Sequence, residues 1–322
     1  MIAAFLSGAA GEAGKQWAAR ILGPALVFWS TGLALVWYDH NRPRIQREGW
    51  RAALAGSAQA FDGLPAAVTL GLLPAAALLL VAGSAVVADR LARSVLRIFE
   101  GYWPAGWVRE RRARRWVAAR ARAMDSYQRL AAGQAAAGLS GTQERELVGA
   151  LVTLRAIPAR AQQTLPTRLG NLLRAADLRS ARKHGVDAVA CWPRLWLVMP
   201  ADTRDEVTHA RQGMERSAQT WLWGALFLAW TPWAWWAPLA ALAVTVVGYR
   251  NCLAAAADFG SLVESAFDVH LPLLYAAARL PAPPTAADEV GHGAMLSRYL
   301  TAGGADLELR FVGADGAVDD GD

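Results

Sequence analysis

Uncharged apolar runs punctuate the chain in two pairs, and the stretches between them carry apolar residues at helical spacing. Ile21 to Tyr38 and Leu64 to Ala88 form the first pair. The earlier run ends in Trp37-Tyr38-Asp39-His40, aromatic residues followed by polar ones. In the later run Gly71 and Ala75 have the small-xxx-small spacing that lets helices approach closely. The second pair lies within Trp221 to Tyr249, broken by Thr231-Pro232-Trp233-Ala234-Trp235-Trp236-Ala237-Pro238. Prolines cannot continue a helix, and Trp rings settle at membrane interfaces, so this stretch predicts a membrane hairpin. At a rise of about 1.5 Å per residue, Ile21 to Tyr38 can just cross a hydrocarbon core about 30 Å thick.

The intervening segment predicts capped amphipathic helices. Ser140-Gly141-Thr142-Gln143 has capping-box spacing, with Leu147, Leu151 and Leu154 on one face of the helix it starts and Pro158 beyond its end. Thr167 is a candidate N-cap for a helix with Leu169, Leu172, Leu173 and Ala176 as its stripe and Arg182-Lys183-His184-Gly185 as a basic last turn. Val186 to Met199 is the least regular part and is expected as an extended or looped segment, wedged between a helical domain and the membrane. Asp202 is expected to cap a helix carrying Val207, Ala210, Met214 and Ala218 into Trp221. A last helix should run past Arg250 with Phe259, Val263 and Phe267 as its stripe and bend at Pro272.

These elements predict an all-α integral membrane protein, with two transmembrane hairpins of about four spans and a helical cytoplasmic domain inserted between them. The expected divisions are an N-terminal amphipathic segment at 1–20, a first hairpin at 21–90, the cytoplasmic domain at 91–217, a second hairpin at 218–250, a helical extension at 251–300, and an acidic flexible tail at 301–322.

Composition supports that class. Of 322 residues, 54% are hydrophobic and 19% charged, against roughly 25% charged in an ordinary soluble domain, and the mean hydropathy is +0.19. The net charge of +6 gathers beside the apolar runs, as the positive-inside rule requires, and no recognition motif accompanies it, so nucleic acid is not an expected partner. After the first pair, Trp103, Trp107 and Trp116 are interleaved with a dense run of arginines. Arg111, Arg112, Arg114 and Arg115 read as an anchor to the lipid surface, or equally as a solvated face paired elsewhere. This block outweighs Arg42, Arg44, Arg47 and Arg51 in the first loop. It places the inserted domain and both termini on the cytoplasmic side of a bacterial inner membrane.

Candidate chemistry is sparse. The cysteines Cys191 and Cys252 form no close pair, and the histidines fall in no metal-binding spacing. Phosphate-loop and nucleophile-elbow motifs are missing, so neither enzymatic activity nor a cofactor is expected. Asp258, Glu264, Asp268 and His270 form the strongest polar group. They read as a gate or proton site at the inner mouth of a pore, or as a solvated face paired with the arginine-rich segment. Trp192, Pro193, Arg194, Leu195 and Trp196 have the composition of a docking anchor, with Asp187 and Arg194 as a candidate buried pair. Ala237, Ala241 and Thr245 have helix-packing or pore-lining spacing.

Three pieces carry a resemblance: Arg168-Leu169-Gly170-Asn171 with Leu173-Arg174-Ala175-Ala176, Gly185 to Leu195, and Tyr249-Arg250 running on to Phe267-Asp268-Val269-His270. Together they resemble a family of uncharacterised integral membrane proteins from GC-rich bacteria, which implies the architecture and supplies no activity. The expected function is a non-enzymatic homo-oligomeric membrane protein, a pore-forming or membrane-disrupting effector of stress or phage defence gated by its cytoplasmic domain. Membrane lipids and an unidentified cytoplasmic protein are its expected partners. A passive scaffold recruiting a soluble partner is the alternative, and a lipid-modifying enzyme the third reading.

Overall fold

The computed structural model describes residues 12–59, 65, 68–303 and 311. The N-terminal segment and the acidic tail fall largely outside them. Among the described residues the regular structure is helical: α1 Glu12–Glu48, α2 Trp50–Gln59, α3 Leu73–Glu100, α4 Gly106–Ala137, α5 Gly141–Ala156, α6 Arg168–His184, α7 Ala188–Val198, α8 Ala201–Leu226, α9 Ala237–Ala277 and α10 Glu289–Ala302. Helices α3 and α9 are long and apolar enough to cross a membrane. The chain divides into two compact units, 1–96 with 215–251, and 97–214 with 252–322.

In the first unit, α1 does not stop at Tyr38. Asp39 to Arg42 all tolerate a helix, and Pro43 sits inside it. The helix ends only where Gly49 adopts φ 84°, a conformation glycine enters without strain. The Trp37-Tyr38 pair therefore lies within a helix, not at its end. Both rings stack on Trp50 of α2, with centroids 6.1 and 5.7 Å apart, and Trp37 Nε1 donates to Ser57 Oγ at 2.8 Å. The second apolar pair is closed by a 3₁₀ turn at Phe227–Trp230 before α9 begins.

Small residues and Trp rings fill this unit's interior. Ala25, Ala85, Ala88 and Trp223 form one cluster, and Phe28 packs against both Trp223 and Trp230 at 5.3 and 5.1 Å. Gly71 and Ala75 are exposed and do not pack as their spacing suggested. Close approach occurs instead between α8 and α9, where a Cβ on Gly248 would lie 2.8 Å from the Trp221 backbone nitrogen.

In the second unit, α4, α5, α6, α7 and α10 pack in sequence, each against a neighbour. The expected caps form. Ser140 N–H donates to Gln143 Oε1 at 2.9 Å, Thr167 Oγ1 accepts from Gly170 N–H at 3.1 Å, and Gly185 ends α6 in the left-handed region. Two expectations fail in detail. Asp202 lies in the first turn of α8, not at its cap. On α5 the buried residue is Ala150, while Leu151 is exposed. The larger correction is Val186 to Met199, which is helix α7. Asp187 Oδ1 caps it by accepting from Val189 and Ala190 N–H, and Pro193, inside it, removes a single backbone donor. Its Cys191 and Leu195 enter the unit's core with Phe267, Leu271, Leu274 and Tyr275 of α9 and Leu296 of α10.

Candidate functional site

The densest polar constellation in the second unit joins three helices. His184, at the end of α6 and 3% exposed, has Nε2 2.7 Å from Asp268 Oδ1 of α9 and Nδ1 2.6 Å from Glu289 Oε1 of α10. Both ring nitrogens donate at once only when both carry hydrogen. Asp268 also accepts from Lys183 Nζ at 2.7 Å. The hydrogen bond to Asp268 holds the Lys183 ammonium above its ordinary pKa, with Glu264 and Glu289 adding to it. One turn earlier on α9, Glu264 accepts from Arg179 Nε at 2.9 Å and Arg155 Nη2 at 3.2 Å, and Arg179 Nη1 reaches the Arg155 carbonyl at 2.7 Å.

Of the polar residues singled out on α9, Glu264 and Asp268 thus enter a network of cations. His270 Nε2 lies 3.2 Å from Thr203 Oγ1, and Asp258 is exposed. His184 and Glu289 were not anticipated. His184 reads in sequence as a cation complementing the carbonyl end of a helix, and its carboxylate partners lie 84 and 105 positions away.

On α7, Leu195 is buried, and the Trp192 ring packs 5.9 Å from both Trp196 and Phe267. The expected Asp187–Arg194 pair is replaced by other bonds. Arg194 donates to the Ala190 and Leu300 carbonyls at 2.6 and 2.9 Å, while Asp187 serves as the cap and its N–H donates to Ser297 Oγ. Burial raises the Cys191 thiol pKa, and the contact with Ser297 only partly offsets this, so it is a packing group and not a reactive thiolate. The opposite face of α7 carries Val189, Pro193 and Leu197 in the open, an apolar i, i+4, i+8 stripe.

The motif residues behind the family resemblance have structural roles. Gly170 lies where any Cβ would overlap the Glu100 carbonyl oxygen, and Asn171 closes a two-way bridge with the Leu165 backbone at 2.7 and 2.9 Å.

Along α4 the arginines separate by face. Arg120 points into the unit and donates to the Leu154 and Ile157 carbonyls at 2.6 and 2.7 Å, beside Trp116, whose Nε1 donates to the Pro166 carbonyl. Burial and nearby Arg182 lower its pKa. Arg111, Arg112, Arg114 and Arg115 are exposed, with Arg112 5.3 Å over the Trp103 ring. Among the described residues, two concavities of this unit bear on its chemistry. One, of about 210 Å³, is lined by Glu100, Arg174, Asp177 and Arg211 among apolar residues. Burial raises the Asp177 carboxyl pKa there, although Arg174 opposes the shift. The other, of about 670 Å³, runs between α4 and residues 161–165.

In the first unit Ala237 and Ala241 are buried, and Thr245 Oγ1 donates back to the Ala241 carbonyl at 2.8 Å. Among the described residues no group of three His, Cys, Asp or Glu side chains is arranged to hold a metal ion.

No family model, curated protein or solved structure matches the chain.

Proposed function

We propose that this chain is a non-enzymatic, homo-oligomeric membrane protein. In this reading the first unit lies in the bilayer as two hairpins, and the segment after α3 and both termini lie in the cytoplasm. One observation carries it: the first unit turns many of its large apolar side chains outward and fills much of its interior with small ones. Leu78, Leu79 and Leu80 are 65%, 74% and 50% exposed and Trp235 82%, while the buried positions include Ala25, Ala85, Ala88, Ala237 and Ala241 beside Val81 and Trp223. Water penalises a continuous apolar surface of this kind. Lipid does not, and there small residues inside provide close packing. Helix α9, at 41 residues, is longer than one crossing requires. The uncharged stretch Ser217 to Tyr249 serves as a short hairpin.

The activity we favour is that of an effector whose assembly opens or disrupts the membrane. Gln219 Nε2 and Trp223 Nε1 are buried without an acceptor. A rearranged or oligomeric packing would satisfy such donors, whose burial unpaired costs about 1–3 kcal/mol each. The exposed Val189, Pro193 and Leu197 stripe supplies a contact surface for the trigger or a second copy. Purified protein in liposomes should release an entrapped dye, and Ala241→Asp should abolish release. Liposomes that stay sealed under all conditions would favour the second reading, a passive scaffold, which the closed alanine and tryptophan interior also fits. Topology is tested separately in intact cells. A cysteine at Gly49 should react with an impermeant reagent and one at Ser140 should not; external labelling at Ser140 overturns the orientation.

A further inference from the structure

We propose that the groove between α4 and residues 161–165 is a binding site for one anionic phospholipid molecule, with its acyl chain along the groove and its phosphate at the arginine rim. The groove, open along one side, offers about 670 Å³, within the range of pockets that take small organic ligands and with room for part of an acyl chain. Its floor is Ala113, Val117 and Ala121, spaced one turn apart along α4, with Leu165 opposite. Side chains this small leave a trough about 12 Å long on the helix surface, wide enough to lay down a hydrocarbon chain but without the deep pockets that seat bulky peptide side chains.

The rim selects the head. Arg109 and Arg114 line the groove and are exposed. Glu110, an acid that lines the same groove, meets Arg114 only at 3.8 Å, with both side chains largely in solvent, a pairing worth little. Gln162 adds a polar side chain on the facing wall and Tyr102, 69% exposed, a ring at the mouth. Trp107, 72% exposed, lies on the same helical face as Arg114 and Ala121 by its i+7 and i+14 spacing. An apolar floor, cationic rim and exposed aromatic rings match an anionic amphiphile. A free phosphate would use only the rim, and a neutral lipid only the floor. The inference takes its source of ligand from the membrane reading above, but the groove belongs to the second unit and is tested without a bilayer.

The test uses full-length protein in non-ionic detergent, stripped of lipid and titrated with phosphatidylglycerol, with bound lipid counted by native mass spectrometry. One lipid should bind at least tenfold more tightly than phosphatidylcholine. Arg109→Glu with Arg114→Glu should weaken binding tenfold or more, and so should Ala121→Trp, which fills the floor without touching the charges. Arg129→Glu with Arg145→Glu, the same charge change on exposed positions away from the groove, should stay within twofold. Four results would each overturn the assignment: unchanged binding in Ala121→Trp, equal loss in the Arg129/Arg145 variant, equal affinity for phosphatidylcholine, or equal binding of inorganic phosphate or glycerophosphoglycerol. Failure of the membrane reading shows elsewhere, as chain recovered from cells in the soluble fraction without detergent.

Discussion

Gly293 of α10 should tolerate no side chain, although it sits inside a helix where alanine is normally the better residue. An added Cβ would overlap the His184 carbonyl oxygen at the end of α6, a backbone atom that cannot rotate aside. Relief requires α10 to lift from α6 by roughly 1 Å, because carbon–oxygen contacts shorter than about 3 Å are strongly repulsive. Such a lift strains two bonds that reach α10: His184 Nδ1 with Glu289 Oε1 at 2.6 Å, one turn before Gly293, and Asp187 N–H to Ser297 Oγ at 2.8 Å, one turn after it. Hydrogen bonds of these kinds contribute about 0.5–1.5 kcal/mol for the neutral one and about 1.5–3 kcal/mol for the charged one. Alanine regains about 1 kcal/mol of helix propensity, leaving a net loss of about 1–3.5 kcal/mol for Gly293→Ala if both bonds are lost.

Gly291 provides the internal control: it lies in the same helix, and a methyl group added there would have nothing within 4 Å of it. Gly291→Ala should therefore be neutral or stabilising by up to about 1 kcal/mol. Thermal unfolding of the detergent-solubilised protein, followed by circular dichroism, should show Gly293→Ala melting roughly 2–14 °C below the parent, at about 2–4 °C per kcal/mol. If Gly293→Ala is as stable as Gly291→Ala, α10 does not rest on the end of α6 and the argument fails.

Leu195→Ala, at a fully buried position of α7, should cost about 2–5 kcal/mol, while Leu197→Ser on the exposed face should leave the melting temperature within about 2 °C and change only self-association or partner capture; a large loss of stability in Leu197→Ser would place that face in the core. Asp177→Asn should stabilise the protein at neutral pH. Burial raises the folded-state pKa of this carboxyl, so the folded state binds its proton more readily than the unfolded chain, and the penalty on the charged form disappears as pH falls through that raised value towards the ordinary 3.8. Denaturation of both proteins across pH should show the advantage of the variant shrinking towards acid, and an advantage independent of pH would refute the assignment. Gly248→Val should loosen the contact of α8 with α9, since its Cβ would meet the Trp221 backbone at 2.8 Å, at a cost of about 1–3 kcal/mol, read from the same melts.

Local signals in the sequence determined the helical class and many helix ends, because a cap or a breaker acts over three or four residues: Ser140 with Gln143, Thr167 with Gly170, and Gly185 each do what their spacing implies. The apolar pattern likewise marked α3 and α9 as long apolar helices. Where several backbone choices were compatible, local reading fell short. Asp39 to Arg42 contains nothing that forces a stop and Pro43 removes only one backbone donor, so α1 runs on to Glu48, and the Trp-Pro pair of α7 looked irregular although one proline removes one hydrogen bond and Asp187 supplies the cap. The direction each apolar face points was beyond reach, since Ala and Leu stripes of the same period suit a water-facing core and a lipid-facing exterior; only packing shows Ala85 and Ala88 inside with Leu78 and Leu79 outside. The ionic cluster was legible in part. Glu264 and Asp268 stand out on α9, but the cations that meet them come from α5 and α6, and Glu289 comes from α10. Partners so far apart along the chain are joined by the fold alone, because an ion pair carries no sequence period, and its members meet only after the helices that bear them have packed.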